Sequence, residues 1–151
     1  MSAPAHRRSA TPLVLVLRIL GAALLAGTGW IHQHLWAAGY DTIAWIGPLF
    51  LLDAIGGFVL AAAVLLAPRR LLVWPAAAGA LLEIGTLGGL VLSSTVGLFG
   101  FVESSAAELY WQSVAVEIAG FLVLGTLAVL CRPVRRPARN EDWTQPLRTG
   151  G

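Results

Sequence analysis

One cysteine, no lysine and only 12% charged residues in a chain of 151 set the first limits. The lone Cys131 excludes an intrachain disulfide framework and every metal motif built on paired or clustered cysteines. Soluble domains carry about 25% charged residues; so large a shortfall makes a lipid bilayer the expected solvent. Without lysine, the formal charge of +2 rests on arginines. These flank apolar segments instead of lining one face, which argues against a nucleic-acid partner. The GxSxG, HExxH, Walker and dinucleotide signatures are missing too, so nothing marks an enzyme. No sustained repeat relates the two halves, and a transporter built from inverted repeats within one chain is not indicated.

Hydrophobic residues make up 57% of the chain and gather in four continuous runs, at about 12–36, 43–67, 71–93 and 109–131. Each exceeds the roughly 20 residues that cross about 30 Å of hydrocarbon at about 1.5 Å per residue. The runs are continuous rather than alternating, and lipid tolerates no open sheet edge, which excludes strands in practice. The expected fold is an all-α, four-helix transmembrane bundle. It forms one domain over 12–131, between an N-terminal tail of 1–11 and a polar, proline-rich tail of 132–151. A basic start before an apolar run also describes a secretory signal, but this run is too long, Arg18 interrupts it, and no Ala-x-Ala site follows. Pro48 and Pro75 fall near the starts of their runs, where a missing N–H costs little.

Arginine sets the orientation. Arg7 and Arg8 precede the first run, Arg69 and Arg70 fill the turn between the second and third, and Arg132, Arg135, Arg136 and Arg139 follow the fourth. The opposite loops, AAGYDT and STVGLFGFVESSAAE, have none. The positive-inside rule places both termini in the cytoplasm of a plasma or inner membrane. Trp30, Trp36, Trp45 and Trp111 then form the outer aromatic belt and Trp74 marks the inner one. The basic start of the C-terminal tail is expected to lie on anionic lipid head groups.

Within the oil stand four ionisable residues, one per run: Arg18, Asp53, Glu83 and Glu117. Counting rise from the flanking arginines puts Asp53 about 24 Å from Arg69, Glu83 about 20 Å from Arg70 and Glu117 about 22 Å from Arg132. Three carboxyl groups therefore share one depth near mid-membrane. Arg18 lies about 15 Å from Arg8, and its long side chain is expected to reach toward that layer. A charge at the centre of a lone helix costs about 2.5–3.5 kcal/mol on insertion scales, so such groups face protein or water and find partners. One arginine cannot neutralise three carboxylates. Either one or two acids hold a proton or a cation completes the site; the alternative is structural glue, with neutral acids donating hydrogen bonds.

Toward the outer edge lie His32, His34, Asp41, Glu103 and Glu108, with Tyr40 and Tyr110 among them, enough donors for a zinc or copper site though in no established spacing. His32 and His34 point about 160° apart on a helix, so they do not chelate as a pair. His32 shares a stripe with Arg18. Asp53, about 12 Å below Trp45, is expected in a separate, deeper site. Beyond the N-terminal tail only the first run carries histidines, which argues against a haem held by two helices of one chain; no cofactor is indicated, although a quinone pocket needs little more than an aromatic wall. Small residues at helical spacing, Gly85 with Gly89 and Gly57 with Ala61, allow close helix contact.

HQHLWAAGY from His32 to Tyr40, GPLF from Gly47 to Phe50, and TVGLFGFVE from Thr95 to Glu103 resemble segments of a group of small, uncharacterised four-helix bacterial membrane proteins. The resemblance spans about residues 15–130. It implies the same four-span architecture and no particular activity. In size and helix number the chain also resembles small proton-coupled multidrug exporters, but it departs from them in the first helix, where Arg18 stands in place of their essential acid. Three functions follow from these readings. The protein is an accessory subunit or scaffold of a membrane complex; or a small proton- or cation-coupled permeation unit, as a homo-oligomer, using the charged layer; or a metal- or cofactor-binding membrane protein using the outer histidines and acids.

Overall fold

In the computed structural model, residues 6–133 are described, with side chains from residue 12 onward. Four helices follow in order: α1 His6–Ala37, α2 Ile46–Leu66, α3 Val73–Thr95 and α4 Tyr110–Leu130, with a short 3-10 turn at Tyr40–Thr42 between the first two. Each helix is long and apolar enough to span a membrane. Among the described residues the only extended pairing is a single bridge between Leu98 and Phe101. Apolar side chains such as Leu52, Leu66, Leu81 and Val129 cover the outer surface, as expected of a chain whose solvent on that side is lipid.

Helix ends differ by a few residues from the apolar runs. The first helix begins at His6, so the segment before Pro12 continues the helix. The second begins at Ile46 rather than 43, because Gly39 and Trp45 both adopt positive φ (131° and 67°) and the chain between them forms the 3-10 turn. Pro48 and Pro75 each sit third in their helices, inside the first turn where no intrahelical partner is lost. The tail from 134 to 151, with its expected contact to anionic lipid, lies outside the described residues.

Around the bundle, α1 packs most closely on α2 and α3 on α4. Contact between α1 and α4 closes one side, and the α2–α3 side is the loosest. Glycines explain the tight seam. A Cβ added at Gly57 would stand 2.7 Å from the Leu25 carbonyl oxygen and 2.9 Å from the Gly29 Cα, and one at Gly29 would stand 3.0 Å from the Ala54 carbonyl oxygen. The α1 and α2 backbones therefore touch with no side chain between them, the close approach small residues permit in membranes. Gly85 and Gly89 behave differently. An added Cβ at either would meet nothing within 4 Å, so these glycines leave open space on α3 rather than bring a helix near.

The two halves of the bundle are filled differently. Toward the Arg69–Arg70 turn, Ala22, Leu25, Val64, Leu72, Ala76, Leu124 and Leu127 form a close-packed apolar core. Toward the other loops the packing opens into a cavity.

Candidate functional site

The site is built from α1 outward. Thr28 and His32 lie one turn apart and are both buried. His32 Nδ1 is 2.9 Å from the Thr28 carbonyl oxygen. A carbonyl can only accept, so Nδ1 carries hydrogen and Nε2 is the nitrogen turned toward the bundle. Nε2 lies 3.9 Å from Oδ2 of Asp53 on α2. The Thr28 hydroxyl donates to Glu83 on α3, at 2.9 Å to Oε2 and 3.1 Å to Oε1. Glu83 is fully buried, and it lies flat on α4: a Cβ at Gly120 would stand 2.6 Å from its Cδ. One turn from Gly120, Glu117 is 1% exposed, and its Oε2 is buried with no hydrogen-bond partner.

Asp53 and Glu83 are tied to α1 through His32 and Thr28, Glu117 lies one turn from the Gly120 that Glu83 covers, and Arg18 does not join them. Arg18 Nε donates to the Val64 carbonyl at 2.7 Å, and Nη2 donates to Leu65 at 2.7 Å and to Ala67. The last carbonyls of a helix have no partner of their own and form the negative end of its dipole. The guanidinium therefore finds the end of α2 before it can reach the acids, and is a cap rather than a counter-ion. Among the described residues no arginine pairs with a carboxylate; the two contacts between basic and acidic side chains are His32 with Asp53 and His34 with Glu108.

The outer residues do not gather as one site. His34 is exposed, stacks on Trp30 with ring centroids 5.3 Å apart, and lies 3.3 Å from Glu108. Asp41 is exposed in the 3-10 turn. Glu103 accepts a hydrogen bond of 2.9 Å from Tyr40. Burial first, and then the Glu103 carboxylate, push the Tyr40 phenol above its ordinary value, so it stays protonated and serves as the donor. No three of His, Cys, Asp and Glu among the described residues come close enough to hold a metal ion. His32, grouped with this outer set by sequence position, instead joins Asp53. Both are within two turns of the same end of the bundle: five residues from the end of α1 and seven from the start of α2, about 8 and 10 Å.

These two levels are walls of one cavity of about 320 Å³. Its mouth carries Tyr40, Phe101, Glu103 and Glu108; its floor carries His32, Asp53 and Glu117; Gly85 and Gly89 form its α3 side. The loop that shapes the mouth is fixed by a tight turn. Leu98 and Phe101 exchange backbone hydrogen bonds of 2.7 and 2.9 Å across Phe99 and Gly100, both with positive φ, as a two-residue hairpin turn requires. Glu103 N–H donates to the Ser93 carbonyl at 3.1 Å, tying the loop to the end of α3. Tyr40 stacks on Phe50 at 4.7 Å and meets Phe101 edge-on at 5.9 Å, so aromatic rings narrow the entrance. Sequence reasoning missed Thr28, for which a threonine one turn before His32 in an apolar helix was the signal; Tyr40, named among the outer donors, is the partner of Glu103.

Comparison with protein-family models, curated proteins and solved structures finds no match to this chain. Its class rests on fold and site: a four-helix protein with membrane-spanning character, carrying a carboxyl-floored cavity in one half and a close-packed apolar core in the other.

Proposed function

We propose that this is a multi-pass protein of the cell membrane, both ends cytoplasmic, acting as a small proton- or cation-coupled permeation unit through Asp53, Glu83 and Glu117. The observation that carries this reading is the orphan Oε2 of Glu117, buried at the floor of the cavity. A buried acceptor left unmade costs about 1–3 kcal/mol, more when charged. A scaffold would gain by closing that oxygen against a neighbouring hydroxyl or replacing the acid with leucine. A group that takes and gives up a proton keeps a lone pair unengaged, and Glu117 does so beside the cavity. Three carboxyl groups beside one imidazole also leave two negative charges uncompensated when all are ionised, and bound protons or a cation remove that deficit. The arginine distribution supports an outward-facing cavity, with the core of Leu25, Leu124 and Leu127 as the closed inner gate.

The test is flux into proteoliposomes holding a pH-sensitive dye, driven first by a proton gradient and then by a sodium gradient. The wild-type protein is expected to raise flux in one of the two above that of protein-free vesicles, and Glu117→Gln is expected to abolish the increase. Equal flux in the wild type and Glu117→Gln, or none above protein-free vesicles in either arm, contradicts the reading.

A further inference from the structure

We infer that the cavity holds a neutral amphiphile with a vicinal-diol head, its two hydroxyls bonded to His32 Nε2 and the Asp53 carboxyl and its apolar chain leaving toward lipid between α2 and α3. This site is additional to the permeation path: its ligand is neutral and makes no contact with the sealed Oε2 of Glu117.

Two unmatched polar groups stand side by side on the cavity wall. His32 Nε2 and Asp53 Oδ2, at 3.9 Å, are too far apart for a hydrogen bond. Among the described residues the one side-chain N or O atom sealed away without a partner is Glu117 Oε2, so Nε2 and the Asp53 oxygens, which line the cavity, are open to it. Because Nδ1 gives its hydrogen to the Thr28 carbonyl, Nε2 of the neutral ring is a bare acceptor. Asp53 stands seven residues into α2, about 10 Å along the helix, where an ionisable group needs a partner. The pair calls for hydrogen at two neighbouring points.

A monohydric alcohol has one such hydrogen and leaves one of the two groups unmet. Adjacent hydroxyls supply both. A hydroxyl accepts as well as donates, so a diol serves Asp53 whether ionised or protonated, whereas an ammonium serves the ionised form alone and brings charge to a depth where charge is costly. A metal ion would find no third ligand among the described residues. The walls set the rest of the molecule. Phe50 packs on His32 with ring centroids 5.0 Å apart, an apolar flank beside the polar pair. Leu49 and Leu81 line the cavity and are also 39% and 70% exposed, on the loosest side of the bundle, so the cavity opens sideways between α2 and α3. Gly85 and Gly89 leave that passage wide. The volume of about 320 Å³ lies within the usual range of small-molecule pockets, which are apolar with a few convergent polar groups.

The probe is 1,2-decanediol, compared with 1-decanol and decylammonium and titrated calorimetrically into the full-length protein at neutral pH. Phosphatidylcholine nanodiscs carry the protein, because their head groups have no free hydroxyl, and the heat from empty nanodiscs is subtracted. The diol is expected to bind at least about tenfold more tightly than either comparison compound, the scale of one added hydrogen bond in a confined site. His32→Phe, which keeps a ring against Phe50, and Asp53→Leu should each bring the diol to the level of the alcohol. Gly89→Leu should remove binding of both by filling the cavity from α3. Helix content is checked for each variant, and the wild-type comparison of diol with alcohol needs no variant to fold. Diol and alcohol bound equally, decylammonium bound more tightly than the diol, or diol binding unchanged in folded His32→Phe and Asp53→Leu, overturns the inference. Monodecanoylglycerol and decyl glucoside then separate a glycerolipid from a glycolipid. Binding of either above 1-decanol supports the shared head chemistry, the tighter naming the source; binding of neither overturns it.

Discussion

Gly57→Leu is expected to cost the protein its folded bundle. The Cβ alone would overlap the backbone at Leu25 and Gly29, where no side chain can rotate away. Relief requires moving α1 from α2 along the tightest seam of the bundle, which would also disturb Thr28 and His32, one turn or less from the contact. Overpacking in cores costs about 1–3 kcal/mol when side chains can adjust, and more when they cannot. Gly57→Ala should lower the melting temperature in detergent, and Gly57→Leu should give aggregated protein on size exclusion. Gly88→Ala supplies the comparison: its Cβ meets nothing within 4 Å, and helix propensity should make it neutral or stabilising by up to about 1 kcal/mol. Equal losses at positions 57 and 88 would contradict the close-contact account.

The second large effect is expected at Thr28. Thr28→Val keeps the shape and removes the hydroxyl that serves both oxygens of Glu83. Glu83 is fully buried and packed flat on Gly120, so it has no room to seek another donor. Leaving it unmatched should destabilise the protein by about 1–3 kcal/mol, with the charged form at the upper end. Thr28→Ser retains the hydroxyl and should recover most of the loss. Combined with Glu83→Leu, Thr28→Val should cost less than the sum of the two single changes, since removing both partners leaves nothing unsatisfied. Strict additivity in that cycle, measured by chemical or thermal unfolding in detergent, would show that the pair is not coupled.

Much of the fold was legible because bilayer thickness and helical rise leave few choices for four long apolar runs. Depth counting also singled out Asp53, Glu83 and Glu117 as acids inside the bundle, since rise per residue is nearly constant and the helices run side by side. The same reasoning misplaced Arg18. It lies ten residues along α1 from Thr28, about 15 Å from the level of Glu83, and its side chain caps the free carbonyls at the end of α2, which are visible only once the helices are paired. Counting also separated His32 from Asp53, because it put Asp53 about 12 Å below Trp45 and left His32 at the outer rim. His32 instead lies five residues inside the end of α1, close to the depth of an aspartate seven residues into α2. Gly85 and Gly89 could not be told from Gly57 by spacing. Whether a glycine admits a helix or a void depends on what lies opposite.

The account turns on whether Glu117 exchanges protons with the solution through the cavity. Infrared difference spectra between alkaline and acidic buffer, recorded in H₂O and in D₂O for the wild type and Glu117→Gln, address this directly. A carboxylic-acid band is expected to appear on acidification, to shift in D₂O as soon as the solvent is exchanged, and to be missing in Glu117→Gln. A band that is the same in both proteins, or one assigned to Glu117 that neither responds to pH nor shifts in D₂O, would mean a sealed, structural acid and would contradict the account.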